Sequence, residues 1–276
     1  MGQRTAIEWT DATWNPTTGC TRVSAGCDNC YAETLARRLL NQVYTRRLPV
    51  VDTSANRQDP FAVRVWPERL VQPSRWKDPR RVFVNSMSDL FHADVPPSFV
   101  RAVFEVMMDV NRHVYQVLTK RPSRAARFVR NSLDLFGPAG LPRHIWIGAS
   151  TENQKAAYRA RHLRQIPAAV RFLSCEPLIG PLSLVRELST GGIHWVIAGG
   201  ESGIGHRPME RRWATRLRDE CLAADVPFFF KQWGGRTPKA GGRDLDGREW
   251  NQMPRGGPGM AATGQRAAAL ANGRWQ

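Results

Sequence analysis

The chain has 276 residues, enough to bury a full core without disulfide or metal staples. Five cysteines, an odd number clustered towards one end, and an opening "MGQRTAIEWTDATWNP" with no apolar leader argue against a secreted disulfide scaffold, and no apolar run approaches membrane-spanning length. A cytoplasmic protein with reduced thiols and no membrane association is expected, and its formal net charge of +16 points to a polyanionic partner, nucleic acid first.

In chain order, a short first strand is expected around "TAIEW" (5–9). Next comes "GCTRVSAGCDNCYAETLARRL" (19–39), where Cys20, Cys27 and Cys30 form a C-x6-C-x2-C pattern running straight into a helix. Three soft ligands in one loop suit zinc or an iron–sulfur cluster. A closed zinc site wants a fourth protein ligand, and no second CxxC, CxxH or HxxxH supplies one. A nucleobase-deaminase zinc site also needs a His-x-Glu motif, which is absent. A 4Fe-4S cluster on three thiolates leaves one iron open to a non-protein ligand, so the cluster leads, ahead of zinc and of unligated thiols.

Residues 41–80, rich in Pro, Arg and Trp, break the rhythm and read as an insertion or lid over the mouth of the fold. Trp66 and Trp76, with Arg64, Arg69, Arg75 and Lys77, suit a base-stacking, phosphate-contacting surface, and equally a packed lid with solvated cations.

From residue 81 onward, apolar runs recur in "RVFVNSMSDLFH", "HVYQVLTKRP", "HIWIGASTEN", "VRFLSCEPLIGP", "HWVIAGGESG" and "PFFFKQWGG". Each reads as a buried parallel strand, and amphipathic stretches such as "PSFVRAVFEVMMDV" lie between them. With the first strand this makes about seven βα units. The fold expected is α/β, a full or partial β/α (TIM-like) barrel over residues 1–254 with the cysteine loop near its start. Residues 255–276 read as a disordered basic tail.

A barrel would gather the polar strand ends at one mouth, where barrel active sites lie. Those ends carry Asn85, Ser86, Ser88 and Asp89, then Thr119 and Lys120, Ser150, Thr151 and Glu152, Ser174 and Glu176, Glu201 and Ser202, and Lys231 and Gln232. Lys120, Cys175, Glu176 and Lys231 are the candidates for catalysis, with Cys175 read as a hydrogen-atom donor or as a plain buried thiol. Ser150, Glu152, Gly199, Gly200 and Glu201 are candidates for binding a cofactor. In "AGGESG", glycines allow close backbone approach and Glu201 suits ribose hydroxyls or substrate, although a plain strand-to-helix turn reads the same. Cys221 is expected in a helix core, and His92 in a loop.

The cysteine loop before a helix at the start of a β/α barrel resembles the radical S-adenosylmethionine (radical SAM) superfamily. "TAIEWTDATWNPTTGC", "FVNSMSDLFH", "RFLSCEPLIGP", "WVIAGGESG" and "FFFKQWG" together resemble a bacteriophage-associated three-Cys-motif family, from about Thr5 to Pro254. The superfamily's common spacing is C-x3-C-x2-C, shorter than the spacing here, and an aromatic residue usually stands where this chain has Asn29. The resemblance implies that Cys20, Cys27 and Cys30 hold three irons of a 4Fe-4S cluster while S-adenosylmethionine chelates the fourth. An electron from a donor such as flavodoxin or ferredoxin would then split the sulfonium, giving a 5′-deoxyadenosyl radical that takes hydrogen from substrate. It places Asn85, Ser86, Ser88 and Asp89 at the amino group of S-adenosylmethionine. With the charge, it implies a nucleic-acid substrate, DNA ahead of RNA, in base repair or modification, and allows a partner protein encoded nearby. The alternatives are a non-catalytic nucleic-acid-binding protein with a structural metal, and a radical SAM enzyme on a protein or small molecule.

Overall fold

The computed structural model describes residues 5–255; the tail expected over 255–276 lies outside the described residues beyond Arg255. In chain order the strands are β1 (Ala12–Trp14), β2 (Thr17–Thr18), β3 (Arg64–Val65), β4 (Arg81–Val84), β5 (Val114–Thr119), β6 (Ile145–Ser150), β7 (Arg171–Cys175), β8 (Trp195–Gly199) and β9 (Phe228–Gln232). The helices are α1 (Tyr31–Arg38), α2 (Asn41–Tyr44), α3 (Ser54–Gln58), α4 (Pro97–Asp109), α5 (Pro122–Arg130), α6 (Leu133–Phe136), α7 (Arg159–Leu163), α8 (Val185–Ser189) and α9 (Arg211–Ala223). Seven parallel strands form one sheet in the order β1-β4-β5-β6-β7-β8-β9, with helices in the connections. β1 and β9 are its two edges and do not pair, so the barrel is partial. No helix among the described residues is long and apolar enough to cross a membrane.

The helices form where apolar side chains recur at helical spacing. In α4, Pro97 opens the first turn and Val100, Val103, Phe104 and Met107 make the buried stripe. The strands are buried on both faces, and alternation sends one set of side chains to the helices and the other to the concave side. The concave floor is aromatic: Trp9, Phe83, Trp146, Phe172, Trp195 and Phe229. The Trp9 ring lies 4.7 Å from Phe83 on β4 and 6.1 Å from Trp195 on β8. In a flat sheet those strands would stand about 19 Å apart, so the sheet curls around this indole. Gly148 makes room on the floor, because a Cβ there would lie 2.4 Å from the Phe172 ring.

Two expectations change. The first strand is Ala12–Trp14 rather than "TAIEW", whose Trp9 plugs the concave face instead of joining the sheet. The 41–80 insertion is no stacking platform. Trp66 and Trp76 are each 7% exposed, and Arg64 is fully buried with its guanidinium donating to the Arg47, Asp59, Ala62 and Asn56 carbonyls. Trp66 donates Nε1–H to Thr18 Oγ1 (2.8 Å) and packs with Ala32, Ala36, Tyr44, Phe61 and Met87. The insertion thus forms a small second core under α1 and the cysteine loop, where Cys20 N–H donates to Phe61 O (3.1 Å).

Candidate active site at the sheet mouth

The loop from Gly19 to Cys30 lies across the carboxyl ends of the strands. Gly19 starts it at φ +83°, where a Cβ would lie 2.2 Å from Ala62 O. Cys20, Cys27 and Cys30 are free and partly buried. Cys20 and Cys30 pack against the same small core. Burial, with the nearby Asp89 charge, pushes the Cys20 thiol up to about 11 against the pull of Arg121. Burial raises Cys30 as well. Among the described residues no three His, Cys, Asp or Glu side chains converge on one point ready to hold a metal ion. The three thiols fit a soft metal or cluster in donor type and in sharing one loop, and binding would have to draw the sulfurs together.

Around the loop, the expected polar residues separate into groups. Asn85 directly follows β4 at φ 64°, is 3% exposed, and has neither amide atom hydrogen-bonded. The Ser86 carbonyl accepts from Tyr31 O–H, while Ser88 Oγ is tied to Thr17. Thr151 Oγ1 and Glu152 Oε1, past β6, are buried and likewise without a partner. The other Glu152 oxygen accepts from Arg159 Nη1 (2.7 Å), which also reaches Ser150 O (2.8 Å). Burial pushes the Glu152 carboxyl up, but the charges of Arg159 and Lys120 help to hold it below the ordinary range. Lys231 and Glu176 form an ion pair beside Gly199, where a Cβ would only just touch them, at 3.4 Å.

Other expected residues are spent on structure. Asp89 accepts from Thr119 Oγ1 (2.7 Å), Lys120 N (3.0 Å), Phe91 N (3.0 Å) and Arg121 Nη1 (3.0 Å). Gly200 is required by packing, since a Cβ there would lie 1.9 Å from Trp233 O. Glu201 accepts from Asn29 and Arg207. Cys175 is not at the mouth: it is fully buried in the layer between sheet and helices, near Cys221, and burial raises its thiol well above the ordinary value. Cys221 packs in the same core, as expected. His92 lies in a loop but buried, with Nε2 at 2.8 Å from Thr21 Oγ1.

Sequence reasoning missed Asn29, Arg121, Arg159 and Arg207. Arg121 and Arg207 each follow a strand end and precede a proline, in "TKRP" and "GHRP", which was a usable signal. Arg159 sits inside a helical stretch and gave none.

Fold and site define an α/β half-barrel that carries a three-thiol loop across its carboxyl mouth. The chain belongs to the family DUF5131, described as "Protein of unknown function", whose model matches residues 4–254. A phage association is not part of that description. No curated protein matches the chain. Among solved structures it is distantly similar to a cysteine variant of spore photoproduct lyase with dinucleoside spore photoproduct (TM-score 0.47, 11% identity, 80% of this chain). A second variant, with bound AdoMet and dinucleoside spore photoproduct, gives 0.46, 12% and 80%. The lyase complexed with dinucleoside spore photoproduct gives 0.47, 13% and 99% of this chain, with 74% of the lyase covered. The chain spans 63% of the length of the first two.

Proposed function

We propose that the chain is a radical SAM enzyme whose Cys20, Cys27 and Cys30 hold a 4Fe-4S cluster, acting on nucleic acid, DNA ahead of RNA, in base repair or modification. One observation carries this reading: three free thiols on a loop across the mouth, beside buried polar atoms of Asn85, Thr151 and Glu152 that lack a protein partner. Unpaired buried polar groups cost about 1–3 kcal/mol each, and a polar ligand at the mouth would recover that cost. A cluster with S-adenosylmethionine supplies one-electron cleavage of a sulfonium.

The chain's own residues bind and orient. Asn85 Oδ1 suits an ammonium group, whereas the Ser86 hydroxyl, paired with the Asn15 amide (3.1 and 3.2 Å), and Ser88 and Asp89 are already committed to the protein. Glu152 Oε1 and Thr151 suit hydroxyls. Lys120 and the Lys231–Glu176 pair give the mouth charged walls that would contact substrate. The cationic excess of the chain favours a polyanionic substrate. The chemistry also needs a low-potential electron donor, such as flavodoxin or ferredoxin, delivered directly or through a partner protein.

The test is anaerobic purification with metal and sulfide analysis, then mixing with S-adenosylmethionine, dithionite and DNA or RNA, with mass spectrometry of the nucleosides. Brown protein with about four irons and four sulfides per chain, forming 5′-deoxyadenosine, supports the reading, as does loss of most iron in C20A, C27A or C30A but not in C221A. A colourless protein holding zinc overturns it.

A further inference from the structure

Arg207 follows β8 and Arg121 follows β5, three strands apart in the sheet, and each reaches the cysteine loop with a carboxylate behind it. Arg207 Nη2 donates to Ala25 O (2.9 Å) and Nη1 to the Asp28 carboxylate (3.3 Å). Its backbone N (2.9 Å) and Nε (3.0 Å) donate to Glu201 Oε2, and Nη2 also reaches Glu201 Oε1 (2.5 Å). Asn29 Nδ2 adds a further bond to Glu201 Oε2 (2.8 Å) and one to Gly205 O (2.9 Å). On the other side, Arg121 Nη2 donates to Thr21 O (3.0 Å) and Thr21 Oγ1 (3.1 Å), and Nη1 to Cys20 Sγ (3.4 Å). Asp89 holds that guanidinium and is fixed in turn by Thr119 and Lys120.

We propose that Arg207–Glu201 and Arg121–Asp89 are two positioning clamps that fix the thiol loop across the mouth, so that both carboxylates act on the loop, Asp89 through its arginine and Glu201 through its arginine and Asn29, rather than on a cofactor. Glu201 is 4% exposed and its oxygens already take four donors, all from the loop or from Arg207. A ligand hydroxyl could reach it only by displacing what holds the loop. The guanidinium fork matters because it bonds the carboxylate and the loop backbone at once, which an ammonium cannot reproduce. The clamps bear on the order of the loop whether or not a cluster is bound. Their bearing on cluster binding rests on the function proposed above.

Hydrogen–deuterium exchange of the full, metal-free chain tests the clamps without any cluster. R207M should speed amide exchange over residues 24–30 by about tenfold or more, while β6 and β7 keep their protection. R121M should act on residues 20–22 instead. R207K should restore part of the protection, and E201Q/R207M should be no looser than R207M alone, since the two residues act as one unit. Unchanged exchange at 24–30 in R207M overturns the proposal, as does an additive double variant. Should R207M fail to fold, R207K and E201Q decide by the same measurement. A second arm compares iron retention against a chelator after reconstitution, where R207M should lose iron faster than the parent. If the parent takes no iron, the proposed function fails, and the exchange data still decide the clamps.

Discussion

Gly26 lies against the Glu152 side chain so closely that a Cβ on the glycine would stand 3.1 Å from Glu152 Cδ and Cγ. Glu152 has little room to yield, because it is 1% exposed and Arg159 holds its carboxylate at 2.7 Å. The loop therefore sits as low over the mouth as a residue without a side chain allows. G26A should lift the loop and cost about 1–3 kcal/mol of stability through overpacking, read as a lower urea midpoint at unchanged slope. A variant as stable as the parent would mean that the contact is slack.

Trp66 is the clearest case of a residue whose role changes between sequence and structure. With its indole buried and its N–H bonded to Thr18, W66A should cost about 3–5 kcal/mol in unfolding free energy. Loss of single-strand affinity in W66A, with stability unchanged, would restore the stacking surface.

What was legible, and what was not, follows from the physics of each pattern. Runs such as "RVFV" and "HWVIAG" read as buried strands because no polar residue interrupts them, and all six strands expected from residue 81 onward are present. The same property hid the parity of β7: with both faces apolar, nothing in "RFLSC" says that Phe172 and Ser174 face inward while Cys175 faces the helices. Mixed Trp and Arg were ambiguous because an arginine over an indole occurs in packed cores as readily as on nucleic-acid surfaces. Here the Arg69 guanidinium lies 3.9 Å from the centre of the Trp66 ring. The cysteine loop was legible from spacing, whereas its clamps join it to arginines 100 or more positions away and are visible only once the sheet has curled.

Three histidines away from the loop tie stability to pH. Burial lowers the pKa of His113, His144 and His194, and neighbouring arginine charge lowers it further at His113 and His194. His194 Nδ1 accepts the Arg171 backbone N–H (3.0 Å), a bond that only the unprotonated nitrogen makes. The unfolded chain takes up these protons near the ordinary value of about 6.5, and the folded chain only at lower pH. Stability should be complete above that value and fall as pH drops through it, by at most about 1.4 kcal/mol per pH unit for each histidine. Urea titrations between pH 7.5 and 5 check this. H113Q should flatten part of the slope, and a level profile in the parent would show that the rings protonate freely in the fold.

Asn85 separates a backbone role from a ligand role at one position. Its φ of 64° favours glycine, and its amide is buried with neither atom paired. On folding alone, N85G should therefore be neutral or stabilising, because it relieves the backbone and removes a desolvated amide worth about 1–3 kcal/mol. N85A keeps the strain of a side chain in the left-handed region and should lose about 1–2 kcal/mol relative to N85G. If the amide faces the ammonium group of S-adenosylmethionine, N85G should also weaken that ligand by about tenfold or more in calorimetry on reconstituted protein, and N85D should retain affinity by offering a carboxylate instead. Stability gained with affinity lost identifies Asn85 as a residue kept for its ligand at the expense of the fold. Affinity unchanged in N85G would leave the orphaned amide without that partner and remove one of the three groups on which the proposed function stands.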